Sequence, residues 1–148
     1  MDDLIVVGTD GSDTAGRALA EAMRISKALA GKLHVVSAFE RLQEPHVRGG
    51  TTPPTDQVHH PLPTAHVESI LSDAEARGRQ DGVDVITHAV EEDPADALLR
   101  VAEEIGATMI VVGSKGMHGA RRFAIGNVPN KISHHAHCNV LIVATDRD

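Results

Sequence analysis

The stretch Met109-Ile110-Val111-Val112-Gly113-Ser114-Lys115-Gly116 decides the fold, because it joins an apolar run directly to a glycine-rich segment. A continuous apolar run of this length predicts a buried strand covered on both faces. Glycines at the carboxyl end of a strand let the backbone approach an anion and turn its N–H groups toward it. Gly126-Asn127 follows after nine residues and predicts a helix whose positive dipole end adds to such a site. On spacing alone, a phosphate site and a turn that needs positive φ both remain open.

Apolar strand patterns alternate with helical patterns along the rest of the chain. We expect five strands, at Leu4–Val7, Leu33–Val36, Val83–Val90, Met109–Val112 and Val140–Val143. We expect four helices between them: Leu19 to Leu29 with Gly31 closing it, Thr64 to near Gly82, Asp93-Pro94 to Gly106, and about Asn127 to Ala136.

This order predicts an α/β three-layer sandwich, in which a five-stranded parallel sheet of Rossmann-like type is flanked by helices. The whole chain, residues 1–148, is expected to form one domain. Only Glu40–Pro63 breaks the pattern, with Gly49-Gly50, Pro53-Pro54 and further prolines. It predicts a long mobile loop at about 40–63 that could act as a lid or be disordered.

The composition excludes several classes of protein. With 14 Lys+Arg against 21 Asp+Glu, the net charge is -7, which argues against nonspecific binding to nucleic acid or anionic membrane. Two Phe and no Trp or Tyr leave no aromatic platform for stacking bases. The lone Cys138 excludes an intrachain disulfide and suits a reducing compartment. We therefore expect a soluble cytoplasmic protein without nucleic-acid or membrane partners.

Two polar segments follow predicted strands and could share one crevice. In open parallel sheets, ligands bind beyond the carboxyl strand ends, where the strand order reverses. Gly8-Thr9-Asp10-Gly11-Ser12 follows the first strand, and the Gly113…Gly126 segment follows the fourth. The chain contains no G-x-x-x-x-G-K-[ST] loop, no G-x-G-x-x-G fingerprint and no G-x-S-x-G elbow. The crevice is therefore predicted to differ from those three kinds of site.

The spacing G-x2-G-x9-G, set by Gly113, Gly116 and Gly126 between Val112 and Val128, resembles the nucleotide-binding signature of the universal stress protein family. The likeness covers nearly the whole sequence. Leu4–Ser12 resembles the opening strand and acidic turn of that family, and Asp93-Pro94-Ala95 and His134–Cys138 also fit it.

The resemblance implies an ATP-binding domain, usually a homodimer, that is associated with responses to stress, starvation and dormancy. It implies that Gly8, Thr9 and Asp10 border the nucleoside and that Ala38 offers backbone contacts to adenine. By the same resemblance, the ribose and phosphates would be held by Val112, Gly113, Gly116, Gly126, Asn127 and Val128. The expected cofactor is ATP with Mg2+, while AMP or a cyclic nucleotide remains open.

Asn127 departs from the family pattern, which has Ser or Thr after the third glycine. A hydroxyl donating to a phosphate oxygen contributes roughly 1.5–3 kcal/mol, so its loss predicts binding weaker by roughly ten-fold or more. The Asn127 amide can donate in its place, or its oxygen can cap the last helix and occupy N–H groups that a phosphate needs.

The expected function is an ATP-binding stress-response protein that acts as a nucleotide-dependent sensor or switch, with hydrolysis absent or slow. A nucleotide-free dimeric scaffold and a slow ATPase are the alternatives. Asp10 could be a ligand, or it could be a helix-capping or turn residue. Lys115, Arg121 and Arg122 could offset phosphate charge or be solvated. No catalytic residue or metal site is assigned. We expect a homodimer through Val140–Val143, because an apolar edge strand needs a partner.

Overall fold

The computed structural model describes residues 2–39, 63–114 and 127–145. Its elements alternate strictly, which confirms the predicted order. The strands are β1 Leu4–Gly8, β2 Lys32–Phe39, β3 Asp84–Glu91, β4 Met109–Gly113 and β5 Asn139–Val143. The helices are α1 Asp13–Leu29, α2 Pro63–Asp81, α3 Pro94–Ile105 and α4 Asn127–His135.

The five strands form one parallel sheet in the order β3-β2-β1-β4-β5. β1 pairs with both β2 and β4: Gly8 lies opposite Val36, and Val7 lies opposite Val111. The chain thus builds outward from β1 in one direction through β3, then crosses back to add β4 and β5. The reversal of strand order lies between β1 and β4, which is where the fold class predicts a ligand crevice.

Two apolar cores, one on each face of the sheet, explain the continuous apolar strands. On one face Ile5 and Val7 of β1 pack with residues of α1 and α2. On the other, Val6 packs with residues of α3 and with Ile132 of α4. Because successive strand residues point to opposite faces, a strand covered on both sides must be apolar throughout. The predicted three-layer α/β sandwich is confirmed.

The end of α1 differs from the prediction that Gly31 closes it. Ala30 takes the left-handed conformation there, with φ 52° and ψ 36°. Glycine is needed at position 31 for a different reason: a Cβ there would collide with the backbone oxygen of Asp3. Its N–H donates to the oxygen of Ser26 at 2.9 Å. The prediction was wrong because a close chain approach, not positive φ, requires this glycine.

The ends of α3 follow the prediction. Asp93 caps it by accepting the N–H of Asp96 at 3.2 Å, and Pro94 is its first residue. Gly106 ends it with φ 70°.

The predicted loop at about 40–63 lies outside the described residues, except that Pro63 begins α2. None of the helices in the described ranges has the length and apolar run that crossing a bilayer requires.

Candidate functional site

The carboxyl end of β1 is anchored to its neighbours by backbone and packing contacts. The N–H of Thr9 donates to the oxygen of Val36 at 3.0 Å, which continues the pairing of β1 with β2 by one residue. A Cβ on Gly8 would lie 2.9 Å from Leu98 Cδ1 of α3. Gly8 therefore lets α3 pack closely against the strand that leads into the crevice.

A tight turn from Thr9 to Ser12 follows β1. Thr9 Oγ1 accepts the N–H of Gly11 at 3.2 Å, and Asp10 Oδ1 accepts the N–H of Ser12 at 2.9 Å. Gly11 has φ 82°, a conformation that glycine adopts without strain. Ser12 then caps α1 by accepting the N–H of Ala15 at 3.2 Å. The sequence folds this way because short side chains with oxygen acceptors compete for local N–H groups.

Asp10 is a turn residue, as one of its two interpretations predicts, and it does not cap α1, since Ser12 does. Asp10 is nevertheless exposed. Its carboxylate thus stands at the carboxyl edge of the sheet with one oxygen engaged by the turn. This geometry is compatible with a further contact from Asp10 to a ligand.

The carboxyl end of β4 lies beside that of β1, because the two strands pair directly. Val112 is buried, Gly113 is half-buried, and the N–H of Ser114 donates to the oxygen of Val143 at 2.8 Å. The prediction that the acidic turn and the start of the glycine segment border one edge is therefore confirmed. The rest of the segment lies outside the described residues, including Lys115, Gly116, Arg121, Arg122 and Gly126.

Three more candidate residues lie on neighbouring elements. Ala38 is half-buried near the end of β2, two residues beyond the level of Gly8. Val128, in α4, is half-buried and packs against the core that includes residues of α3. Asn127 is exposed and is the first residue of α4. Its capping role stays a prediction.

Lys131 ties α4 to the start of α3. Its Nζ lies 2.8 Å from Asp96 Oδ1 and 3.7 Å from Asp93 Oδ2. The hydrogen bond to Asp96 raises the pKa of Lys131. The helix that begins with Asn127 is thus fixed to the helix that packs under Gly8.

Within the ranges that the structure describes, no three His, Cys, Asp or Glu side chains are grouped to hold a metal ion. His134, His135 and His137 are exposed. Cys138 is half-buried, and burial raises the pKa of its thiol, which disfavours the reactive thiolate.

Sequence reasoning missed two polar groupings. His34 and His88 meet across β2 and β3, and Ser114 meets Thr145 and, through it, Arg17. The partners lie far apart in sequence. Strand alternation places His34 and Val36 on one face, but only the strand order brings β3 beside β2.

Comparison with known proteins then identifies the family. The model of the universal stress protein family matches residues 1–144. The chain belongs to the universal stress protein family.

Individual relatives agree over nearly their whole length. A universal stress protein of Mycobacterium tuberculosis is 35% identical over 142 residues, which is 95% of each chain. The crystal structure of a universal stress protein in complex with cAMP is 30% identical, with a TM-score of 0.73 over 98% of both chains. Universal stress protein UspA from Lactobacillus plantarum has a TM-score of 0.75 at 23% identity, covering 95% of this chain and 97% of its own, and shows the shared fold.

Proposed function

We propose that this member of the family binds an adenine nucleotide at the carboxyl edge of β1 and β4 and acts as a nucleotide-dependent sensor or switch. The observation that carries the proposal is the direct pairing of β1 with β4. It brings the Thr9–Ser12 turn beside Gly113, at the point where the strand order reverses. The complex of a 30% identical family member with cAMP supports a ligand of this class.

The proposed roles of the site residues follow the pattern of the family. The turn residues Gly8, Thr9 and Asp10 border the nucleoside, and the backbone of Ala38 on β2 meets adenine. The ribose and phosphates are held by Val112, Gly113, Gly116, Gly126, Asn127 and Val128. ATP with Mg2+ is the proposed physiological ligand, and a cyclic adenine nucleotide is the second candidate, favoured by the cAMP complex of the relative.

Binding energy, rather than hydrolysis, drives the proposed switch. A nucleotide that binds one conformation more tightly raises its population by the difference in binding free energy. Phosphoryl transfer needs a positioned water and a metal in addition to a phosphate cradle. Among the described residues at this edge, Asp10 is the one carboxylate assigned to the site, and its turn hydrogen bond already engages one oxygen. Hydrolysis is therefore proposed to be absent or slow.

A thermal-shift titration tests nucleotide binding. A ligand at 100 times its Kd stabilises the folded state by about 2.7 kcal/mol, so the unfolding midpoint should rise by about 5–10 °C. Mg-ATP and cAMP form the two arms, and Mg-GTP is the matched control for the adenine base. No rise with either adenine nucleotide at millimolar concentration would instead favour the nucleotide-free scaffold. A mass spectrum of ligand that copurifies with the protein identifies which nucleotide is preferred.

We also propose that the protein is a cytoplasmic homodimer that pairs through Val140–Val143. β5 lies at one edge of the sheet, and all four of these apolar residues are only half-buried in the single chain. An unpaired apolar edge is an aggregation hazard that a two-fold partner removes. Sedimentation velocity over a range of concentrations should show the dimer, and a monomer at every concentration would contradict this proposal.

A further inference from the structure

Thr145 is buried just beyond β5, with only 2% of its surface exposed. A buried polar residue needs partners for its polar groups. Its N–H donates to Ser114 Oγ at 3.1 Å, and its Oγ1 lies 3.1 Å from the same Ser114 Oγ. Its carbonyl oxygen accepts from Arg17 Nη1 at 2.9 Å. We name this set of hydrogen bonds between Arg17, Ser114 and Thr145 the Thr145 clip.

The Thr145 clip joins the two halves of the proposed site. Ser114 directly follows Gly113 and leads into the glycine segment. Arg17 lies in α1, five residues after the Ser12 cap that ends the acidic turn. The segments that follow β1 and β4 form one half of the site each. Thr145 connects Ser114, after β4, to Arg17, in the helix after β1. These partners lie 31 and 128 residues from Thr145 in sequence.

The Thr145 clip lies where the pairing of β4 with β5 ends. β4 ends at Gly113, opposite Val143 in β5, and the N–H of Ser114 still donates to the oxygen of Val143. One residue further, backbone pairing is replaced by the hydroxyl contacts to Thr145. Three hydrogen bonds fix Ser114, the residue that directly follows Gly113, and so reduce the number of conformations open to it.

We propose that Thr145 is a positioning residue for nucleotide binding: it holds Ser114, and with it the end of β4 at Gly113, in place relative to α1. The inference rests on the proposed function. Thr145 acts through Ser114 and Arg17 and is not assigned a contact with the nucleotide. Holding Ser114 and Gly113 in place before the nucleotide arrives lowers the ordering cost that binding must meet, and so tightens binding without a new contact.

The test compares Thr145→Val with Thr145→Ser, using calorimetric titration of the intact protein with Mg-ATP and with cAMP. Valine keeps the shape and removes the hydroxyl, whereas serine keeps the hydroxyl. Loss of one hydrogen bond predicts an increase in Kd of about two- to ten-fold for Thr145→Val. Thr145→Ser should bind like the wild type.

Thr108→Val is the matched control. Thr108 Oγ1 donates to the oxygen of Leu4 at 3.2 Å, at the amino ends of β1 and β4 and therefore at the opposite end of these strands from the proposed site. This variant should lose stability and keep the wild-type Kd, so a loss of affinity caused only by general destabilisation would be visible in it. Arg17→Lys is the second probe of the clip; it leaves Thr145 intact, lies on an exposed position, and should also raise the Kd.

The outcomes separate the two proposals. If the wild type binds neither nucleotide at millimolar concentration, the proposed function fails, and this inference fails with it. If the wild type binds and Thr145→Val binds equally well, only the positioning role is overturned. Equal losses in Thr145→Ser and Thr145→Val would also overturn it, because the hydroxyl would then not be the cause.

Discussion

His34 Nδ1 lies 2.8 Å from His88 Nε2, and the two imidazole rings stack with their centroids 5.1 Å apart. The pair joins β2 to the edge strand β3. Burial lowers the pKa of both rings. The pKa of His34 is lowered further by the charge that His88 would carry when protonated and by Lys32, and Asp84 opposes them. For His88, Glu104 of α3 opposes the effect of burial. Both rings are therefore held neutral near pH 7, one as donor and the other as acceptor.

Acid should weaken the fold through this pair. Because the folded-state pKa values are lowered, the unfolded chain binds more protons in the acidic range. The stability that the neutral pair contributes is complete above the ordinary histidine pKa of about 6.5, and it is lost as the pH falls through the lowered values. Urea unfolding between about pH 7.5 and pH 5 should show a fall in unfolding free energy that His88→Gln reduces. His66→Gln, at an exposed position of α2, is the control. Equal pH slopes in wild type and His88→Gln would contradict the assignment.

Gly11 should resist substitution for two separable reasons. Its φ of 82° strains any residue with a Cβ, and that Cβ would lie 2.9 Å from Ile70 Cδ1. Gly82 has φ 73° and open space around it, so Gly82→Ala meets the strain alone. We expect a loss of about 1–2 kcal/mol for Gly82→Ala and a larger loss for Gly11→Ala, measured by urea unfolding. Similar losses of unfolding free energy at both sites would show that the Ile70 side chain moves away from the new Cβ at no measurable cost.

The two helix ends at Ala30 and Gly106 should respond in opposite directions. Both residues are left-handed, with φ 52° and φ 70° respectively. Ala30→Gly relieves the strain of a Cβ, partly offset by the greater freedom of the unfolded chain, and should stabilise the protein by about 0.5–1 kcal/mol. Gly106→Ala should destabilise it by about 1–2 kcal/mol, as expected for Gly82→Ala, because both glycines have open space around them. Thermal unfolding checks both, and a destabilised Ala30→Gly would contradict the strain argument.

Asp10 variants should separate its turn role from the proposed ligand role. Asn keeps an oxygen that can accept the N–H of Ser12, whereas Ala removes it. Asp10→Ala should therefore lower the unfolding midpoint, and Asp10→Asn should preserve it. If the carboxylate contacts the nucleotide, both variants should raise the Kd for Mg-ATP. Wild-type affinity in Asp10→Asn would restrict Asp10 to the turn.

Asn127→Ser tests the departure from the family pattern. Restoring a hydroxyl donor beside the proposed phosphate position should tighten Mg-ATP binding by up to about ten-fold. Asn127 is exposed at the start of α4, so the substitution should leave the unfolding midpoint of the ligand-free protein nearly unchanged. An unchanged affinity would show that the Asn127 amide replaces the hydroxyl fully.

Local patterns predicted the elements of this fold well where a single segment carries the whole signal. Asp93, Pro94 and Gly106 delimit α3 as expected, because capping depends on neighbours within one turn. The apolar runs of β1 and β4 identified the central strands, because both of their faces are buried. At Gly31 the same reasoning was wrong by one residue. A glycine after a helix can supply a positive φ or allow another part of the chain to approach closely, and Gly31 serves the close approach of the Asp3 backbone.

The candidate site was predictable only in part. Gly113 and Asp10 stood out because glycine and short acidic residues after strands have local meaning. Their juxtaposition was conditional on β1 and β4 being neighbours, which the sheet confirms. Thr145 gave no local sign of a role, because its partners Ser114 and Arg17 are remote in sequence.

The sequence by itself therefore determined the order of strands and helices, the burial of the central strands, the ends of α3 and the presence of a glycine segment after β4. These follow from periodicity and capping, which act over a few residues. Only the tertiary structure decided that β1 lies between β2 and β4, that His34 meets His88, and that Thr145 links the end of β4 to α1. Such contacts depend on strand order and register, and a repeating apolar pattern specifies which face a residue occupies but not which strand lies beside it.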